Sequence, residues 1–393
     1  MKESVSNIFL TIASLAILFL ILEGICQLFY TPPVKVTTDV TGLKTAKSHL
    51  MDDQLGWVPK KNIEGTHAKP PIFESTFHTN SVGLRDKEYS FEKPLEVTRL
   101  VAIGDSFTWG YGVNDDEIYT EVLENLLPKT EVINLGVTGY GIPQEFWYLK
   151  RLGIQFNPDI VLLAFFLNDV GNPYWKEKVR TERDEKGNTI PTDYRKRKKS
   201  KKPQQQNNVF LDTKNFLMNH SALYAFVLDR VNRFMPLVRL LVRLGIKEKL
   251  AGLETIDWEL RPTLKVYPEE LKAKFNATKQ NILEVHQWLK KKGIRLIVVL
   301  IPSAEAVDVN RFNRAIAYNV LEAEDFDLDK PYRLLEEFGK EHGLEILSPL
   351  EIFRTVHANQ KKLFFEGDPH FNRDGHVLFA KQIGEYLKNS QRF

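Results

Sequence analysis

The chain has 393 residues, 43% of them apolar, so it is long enough to bury a sizeable core and form one large domain with insertions. Its formal net charge of +3 is too small for this length to indicate nucleic-acid binding, and no nucleic-acid recognition motif is present. The single cysteine, Cys26, excludes a disulfide within the chain.

The N-terminal segment is apolar. Residues 8–22 carry no charge, and apolar character continues past Glu23 to Tyr30. A helix from Asn7 to Tyr30 would be about 35 Å long at ~1.5 Å per residue, which is enough to cross a hydrocarbon core of about 30 Å. We favour an uncleaved membrane anchor over residues 1–34, with the following domain outside the cytoplasm; a cleaved signal peptide and a buried core helix are the alternatives. Glu23 would then lie at the headgroup level or contact a partner helix.

Residues 35–98 mix polar residues, prolines and isolated aromatics, and we expect a small β-rich or irregular lead-in packed on the main domain. The alternation of apolar and polar residues over Phe73–His78 is typical of a half-buried strand. For Arg85 we favour a surface salt bridge over a position at the rim of a site that binds an anionic group.

An apolar run from Arg99 to Ile103 predicts a buried strand, and it ends in the polar turn Gly104-Asp105-Ser106. Ligands of open parallel sheets bind where the strands end, because loops and helix N-termini converge there. A serine at that place can be a nucleophile if a base removes its proton. By itself, however, a Gly-Asp-Ser tripeptide more often marks an ordinary turn or a helix cap.

Strands and helices alternate along the rest of the chain. Further strands are predicted over 131–135, 160–166, 294–301 and 344–347, and helices over 117–127, from near 143, and over 271–292, 331–342 and 375–387. This alternation predicts an α/β fold with three α/β/α layers around a parallel sheet of about five strands. The residues that follow each strand then meet at one edge of the sheet. Residues 99–393 form the predicted main domain, and 303–329 an elaborated loop over the site.

The βα rhythm stops between about 173 and 268, which predicts an insertion. The basic run at 195–202 precedes a proline and a glutamine-rich tract, and we favour a solvated loop over a surface that attracts anionic headgroups or polymers. Residues 220–250 predict basic amphipathic helices packed over the core, with a lid or an interfacial helix as the alternative.

A base for Ser106 is available near the end of the chain. A serine hydroxyl needs a base, most often a histidine that a carboxylate orients. In Asp368-Pro-His370 the proline favours extended backbone, so the carboxylate can reach Nδ1 and leave Nε2 for Ser106. Glu366 is the reserve carboxylate, and His376 is expected to pack or cap a helix.

Four segments in this order resemble the blocks of the SGNH (GDSL-type) hydrolase family, which supply a serine, a glycine, an asparagine and a histidine. They are 100–110, 134–141, 166–169 and 368–376. The commonest family spacing in the last block is Asp-x-x-His. The Asp-x-His spacing of this chain resembles a branch that includes polysaccharide O-acetyltransferases.

The resemblance implies an oxyanion hole made by the backbone N–H groups of Ser106 and Gly139 and the side-chain amide of Asn168. Gly139 follows a small residue, as the family's glycine does, and it therefore matches better than Gly136. Donors fixed around a developing oxyanion lower the barrier to acyl transfer.

The implied function is that of a serine esterase or lipase-like hydrolase, which cleaves an acyl or O-acetyl ester through an acyl-serine intermediate. The expected partners are an ester-bearing small molecule, lipid or glycan, and a membrane through the N-terminal helix. No cofactor, metal ion or nucleic acid is expected. The alternatives are an O-acyltransferase that acts on a glycan, and a non-catalytic, membrane-anchored glycan-binding scaffold.

Overall fold

The computed structural model describes residues 2–29, 48–52, 54–170, 181–183, 189–191, 221–224, 226–227, 259–319 and 321–390. These residues divide into two compact units. The smaller unit includes the N-terminal helix and residues 221–224, and the larger one contains the strands, Ser106 and His370. The basic run at 195–202 and most of 220–250 lie outside the described residues.

The N-terminal segment forms helix α1 over Lys2–Phe29. Among the residues that the structure describes, no helix combines the length and the apolar character needed to cross a membrane. The transmembrane anchor stays a prediction from the sequence. The Glu23 carboxylate accepts hydrogen bonds from Ser221 Oγ (2.7 Å) and from the N–H groups of Ala222 (2.7 Å) and Leu223 (3.1 Å). Glu23 thus binds residues 221–223 of the same chain, and the two roles predicted for it in a membrane stay predictions.

The lead-in forms two antiparallel hairpins within its described part. Their strands are β1 His49–Asp52 and β2 Gly56–Pro59, then β3 Glu64–Lys69 and β4 Phe73–His78. Buried and exposed side chains alternate strictly along β4, as the sequence pattern predicts. The absence of a Cβ at Gly65 leaves room for the ring of Phe77 directly opposite. The lead-in is thus β-rich and ordered by its own aromatic residues.

Five parallel strands form the central sheet of the described residues, as predicted, in the order β11-β10-β7-β5-β6. The remaining strands are β5 Thr98–Gly104, β6 Thr130–Asn134, β7 Ile160–Phe165, β8 Thr181–Arg183, β9 Thr189–Pro191, β10 Arg295–Leu300 and β11 Glu345–Leu347. Strands β8 and β9 pair only with each other. All six residues of β7 are buried, because β7 lies in the middle of the sheet between β5 and β10. A parallel strand in that position is apolar on both faces, which explains its unbroken apolar sequence.

Helices follow most of the strands. They are α2 Ser106–Trp109, α3 Tyr119–Leu126, α4 Ile142–Arg151, α5 Glu269–Lys290, α6 Ala304–Val307, α7 Val309–Asn319, α8 Lys330–His342, α9 Leu350–Ala358 and α10 Arg373–Asn389. Short 3₁₀ helices cover Asp115–Glu117, Gly153–Phe156, Leu167–Asp169, Arg261–Thr263 and Ala323–Asp325. Helices α3 and α10 pack together, as do α4 and α5. The prediction of a loop over 303–329 is wrong for most of its length, because α6 and α7 occupy it.

Candidate active site

Strand β5 delivers Ser106 to the carboxyl edge of the sheet. Ser106 is the first residue of α2, and the Asp105 side chain caps this turn by accepting the Phe107 N–H at 2.9 Å. The first N–H groups of a helix have no acceptor within it, so the Ser106 N–H is available to a ligand. A Cβ at Gly104 would overlap Thr108, so only glycine fits this sharp turn.

The predicted base lies on a tight loop that precedes α10. An antiparallel bridge joins Phe364 to Phe371, and the Phe365 N–H donates to the His370 carbonyl at 3.1 Å. Gly367 takes a left-handed conformation, with φ of +75°, inside this loop. The loop therefore closes on itself and projects its short Asp-Pro-His segment from its tip.

Ser106, His370 and Asp368 form a continuous hydrogen-bonded chain. The distance from His370 Nε2 to Ser106 Oγ is 2.7 Å, and the distance from His370 Nδ1 to Asp368 Oδ1 is 2.6 Å. An ionised carboxylate can only accept, so Nδ1 carries the proton and Nε2 is free to accept the serine hydroxyl. The structure thus brings these three side chains together with the connectivity that the sequence predicts.

The Asp368 carboxyl is held in its ionised form. It is almost fully buried, with a side-chain exposure of 6%. Burial alone would raise its pKa, but hydrogen bonds from His370 and Lys69 outweigh that effect and hold the pKa well below its usual value. A carboxylate that stays charged can stabilise an imidazolium next to it.

Two aromatic rings fix the orientation of the imidazole. The centroid of the His370 ring lies 4.9 Å from that of Phe107 and 4.8 Å from that of Tyr111. Both rings belong to the segment that follows Ser106. The turn that positions the hydroxyl therefore also packs against its proton acceptor.

The glycine loop runs beside the serine turn. The Val137 N–H donates to the Gly104 carbonyl at 3.1 Å, so the pairing of β6 with β5 continues past the strand ends. Two residues further on, Gly139 has a φ of +75°. The Gly136 N–H, by contrast, already donates to Asn134 Oδ1 at 2.8 Å. The Gly136 N–H is therefore engaged within the protein, and Gly139 stays the oxyanion donor that the family pattern predicts.

Asn168 follows β7 and lies next to the serine turn. Its Nδ2 donates to Asp105 Oδ2 at 2.6 Å, and its side chain is buried. One of its two amide N–H bonds is thus engaged, which leaves the second for a ligand. The buried Oδ1 atom has no protein partner in the described residues.

Two residues of the lead-in hairpins contact the site, and sequence reasoning missed both. Lys69 Nζ lies 2.7 Å from Asp368 Oδ2. The Trp57 indole N–H donates to the Thr138 carbonyl at 3.0 Å and so orders the glycine loop. Neither residue belongs to a recognisable motif, and only the fold of the hairpins brings them to the site.

Helix α7 braces the loop that carries the predicted base. Arg311 Nη1 donates to the carbonyls of Phe365 (3.1 Å) and Asp368 (2.9 Å), while its Nε donates to Glu305 Oε1 at 2.8 Å. This brace was also missed, because the segment was expected to be a loop.

The prediction of an ion pair for Arg85 is confirmed, but its predicted surface position is wrong. Its side chain is fully buried, and Nε pairs with Asp115 Oδ1 at 2.7 Å. The remaining guanidinium donors reach the carbonyls of Trp109, Gly110, Val113 and Thr76. Arg85 therefore clamps the turn that follows α2 from inside the protein.

The reserve carboxylate and the second histidine have other roles. Glu366 is exposed and pairs with Lys362 at 3.0 Å. His376 is buried and accepts the Tyr119 N–H through Nδ1 at 3.3 Å, in agreement with the packing role predicted for it. Burial, with a smaller effect of the Arg85 charge, lowers the pKa of His376 to about 3, so the ring is neutral.

A shallow cavity of about 390 Å³ lies on the side of the base-bearing loop. Phe73 and Phe365 line it, with tilted rings whose centroids are 4.8 Å apart. The Phe73 ring also contacts that of Tyr111 at 5.4 Å, and Tyr111 contacts His370. Asn114, Glu117, Asn372 and Arg373 add polar groups to its wall. Within the described ranges, no group of three or more His, Cys, Asp or Glu side chains is arranged to hold a metal ion.

Among curated proteins, the alginate biosynthesis protein AlgX of Pseudomonas syringae pv. tomato is 30% identical over 140 residues, which is 34% of this chain and 26% of AlgX. AlgX of Pseudomonas putida is 29% identical over 146 residues, or 35% and 28% of the two chains. The match thus spans about a quarter of the length of these relatives.

The solved structures that the chain resembles include a lipase/acylhydrolase from Enterococcus faecalis, 14% identical with a TM-score of 0.38 over 74% of this chain and 96% of that one. The acetyl xylan esterase AlAXEase is 12% identical with a TM-score of 0.39, over 74% and 99% of the chains. The model of the GDSL-like lipase/acylhydrolase family matches residues 102–378, which span the serine turn, the glycine loop and the base-bearing loop. The chain belongs to the GDSL-like lipase/acylhydrolase family.

Proposed function

We propose that the protein is a serine esterase that cleaves an acyl or O-acetyl ester through an acyl-serine intermediate. The chain of short contacts from Ser106 Oγ through the His370 ring to Asp368 carries this proposal. Membership of the lipase/acylhydrolase family supports it.

In the first half of the reaction, Ser106 Oγ attacks the ester carbonyl carbon while its proton passes to His370 Nε2. Asp368, bonded to the Nδ1 proton, stabilises the imidazolium that forms. The tetrahedral intermediate then breaks the bond to the alcohol, which leaves with the proton from Nε2 and leaves an ester on Ser106. In the second half, His370 takes a proton from water while the hydroxide attacks the acyl carbon. The tetrahedral intermediate then breaks the bond to Ser106 Oγ, which takes the proton back from His370 Nε2, and the acid is released.

The developing oxyanion would be held by the N–H groups of Ser106 and Gly139 and by the second amide N–H of Asn168. In acyl-transfer enzymes, removal of one such donor costs about 10²- to 10³-fold in kcat. The existing bond from Asn168 to Asp105 fixes the amide in one rotamer, so this donor needs no reorganisation when the charge develops.

Short p-nitrophenyl esters and a fluorescent fluorophosphonate test the function. We expect the wild type to release p-nitrophenol and to take up one label, and Ser106→Ala to do neither. Ser90→Ala, which changes an exposed serine of the lead-in, is the matched control and should behave like the wild type. A Ser106→Ala variant that keeps the activity and the label would refute the assignment.

A second candidate is transfer of the acyl group to a glycan hydroxyl. The partial similarity to AlgX, an alginate biosynthesis protein, supports this candidate. Adding a polysaccharide to the ester assay distinguishes the two, since a transferase yields acylated polymer and a hydrolase yields free acid. A glycan-binding scaffold would bind the polymer without either product.

The extracytoplasmic location of the domain is a separate proposal that comes from the N-terminal sequence alone. Protease treatment of intact and lysed cells tests it, because an external domain is digested in both.

A further inference from the structure

Lys69 is the last residue of β3 and lies 299 positions before Asp368 in the chain. Its Nζ is 2.7 Å from Asp368 Oδ2 and 3.4 Å from the Gly367 carbonyl. The Lys69 side chain is 19% exposed and that of Asp368 is 6% exposed, so solvent screens this pair far less than a surface ion pair.

The two oxygens of the Asp368 carboxylate have different partners. Oδ1 accepts both the Nδ1 proton and the backbone N–H of His370, at 2.6 and 3.0 Å. Oδ2 accepts from Lys69. We propose that Lys69 is a positioning residue of this site. It fixes the plane of the Asp368 carboxylate and partly offsets the negative charge of that carboxylate next to the His370 imidazole. This role for Lys69 rests on the proposed esterase function.

The hairpin that carries Lys69 is docked directly on the base-bearing loop. The Ile72 N–H donates to the Lys69 carbonyl at 2.7 Å, which fixes the end of β3. One residue further, Phe73 packs against Phe365, with tilted rings whose centroids are 4.8 Å apart. The ammonium group is thus held between two packed segments, and little side-chain entropy remains to be lost when it binds the carboxylate.

Several charged or titratable groups surround the Asp368–His370 pair. They are Lys69 and His67 of β3, Asp105 of the serine turn, Tyr111 after α2, Arg311 of α7 and His376 of α10. Burial, followed by the Arg85 charge, lowers the pKa values of His67 and His376 to about 3, so both rings are neutral. Arg311 binds the backbone carbonyl of Asp368. Of these groups, Lys69 is the one whose charge contacts the carboxylate itself.

Loss of the Lys69 hydrogen bond and loss of the Lys69 charge should change different kinetic quantities. Loss of a hydrogen bond to a charged group should lower kcat about 10- to 100-fold if Asp368 is then free to rotate. Loss of the positive charge should favour the imidazolium and move the acidic limb of the kcat/KM profile to higher pH. Because solvent screens part of the charge, we expect this shift to be about 0.5–1 pH unit.

The experiment uses the full chain with p-nitrophenyl acetate, and records kcat, KM and the pH profile. Lys69→Met should lower kcat with little change in KM and move the acidic limb upward. Lys69→Gln keeps a donor but not the charge, so it should retain more of kcat while showing the same shift. Lys69→Arg keeps both the donor and the charge, so its kcat and its acidic limb should be close to those of the wild type. Lys61→Met, which removes an exposed lysine ahead of the same hairpin, should match the wild type.

Unchanged kcat and an unchanged acidic limb in Lys69→Met would overturn the role of Lys69, and so would a lower kcat with no shift and no rescue by Lys69→Arg. If Lys69→Met does not fold, Lys69→Gln tests the proposal instead. An acidic limb of its kcat/KM profile at the same pH as in the wild type would exclude the effect of the Lys69 charge. A wild type that neither hydrolyses the ester nor takes the fluorophosphonate label would overturn the esterase function, and the role of Lys69 with it. If the wild type hydrolyses the ester and takes the label, and Lys69→Met has the same kcat and pH profile as the wild type, the role of Lys69 alone would be overturned.

Discussion

The substitution Gly139→Ala tests whether the glycine loop contributes to catalysis in addition to the stability of the fold. Gly139 has a φ of +75°, a region that costs a residue with a Cβ about 1–2 kcal/mol. The new Cβ would also lie 3.3 Å from Trp57 Cζ2, so the loop or the indole must shift by a few tenths of an ångström. Such a shift moves the Gly139 N–H away from the developing oxyanion.

Gly293 is a matched control for the backbone strain. It has the same φ of +75° and lies just past the end of α5, and a Cβ at this position would meet no heavy atom within 4 Å. Gly293→Ala should therefore lose about 1–2 kcal/mol of unfolding free energy and keep its activity. Gly139→Ala should lose a similar amount of stability and, in addition, about 10²-fold or more in kcat.

The assay combines urea unfolding with initial rates on p-nitrophenyl acetate under conditions where both variants are folded. Equal kcat values for Gly139→Ala and Gly293→Ala, at equal losses of stability, would refute the assignment of the Gly139 N–H as an oxyanion donor. A loss of kcat in both variants would instead mean that backbone strain at Gly293, outside the site, also lowers the activity.

Three further predictions concern groups around the site. Trp57→Phe removes the indole N–H from the Thr138 carbonyl, so kcat should fall about 10-fold while the unfolding free energy falls by only ~1 kcal/mol. Arg85→Met should lower the unfolding free energy by about 3–5 kcal/mol in urea titrations, because it removes one partner of the Asp115 carboxylate and leaves several buried carbonyls without their donor. Burial raises the pKa of the Glu145 carboxyl well above its usual value, so this group favours the folded state most at low pH and loses that contribution as pH rises towards its folded pKa. Glu145→Gln should therefore weaken the fall in unfolding free energy between pH 5 and 8 by up to about 1.4 kcal/mol per pH unit.

Each of these has a contrary outcome. A Trp57→Phe variant with unchanged kcat would show that the indole does not order the glycine loop. An Arg85→Met variant as stable as the wild type would mean that other groups satisfy the carbonyls around it. A Glu145→Gln variant with the same pH dependence of stability as the wild type would mean that Glu145 is ionised in the folded protein.

The sheet and the three central side chains could be predicted because their signals are local. Strand β7 is buried on both faces, so its apolar run is unbroken. Ser106 and Asn168 each follow such a strand, and topology alone places them at the same edge. The turn Asp368-Pro-His370 fixes its own geometry through the proline, so the contact between carboxylate and imidazole follows from a few residues.

The supporting residues could not be predicted, because their positions depend on contacts between distant segments. Lys69 and Trp57 lie in hairpins whose docking depends on aromatic partners elsewhere in the chain. Arg85 is an arginine in a polar stretch, which normally indicates a surface position. It is buried because the turn after α2 leaves several carbonyls pointing inward. The periodicity of the sequence does not indicate that these carbonyls require a buried donor.

The hydrogen bond between Ser106 and His370 joins positions that are 264 residues apart. The ribosome therefore makes Ser106 long before it makes His370. Under the proposed esterase mechanism, a chain cut short before the base-bearing loop lacks the group that takes the serine proton and should not cleave esters. Synthesis of that late loop would then complete the site.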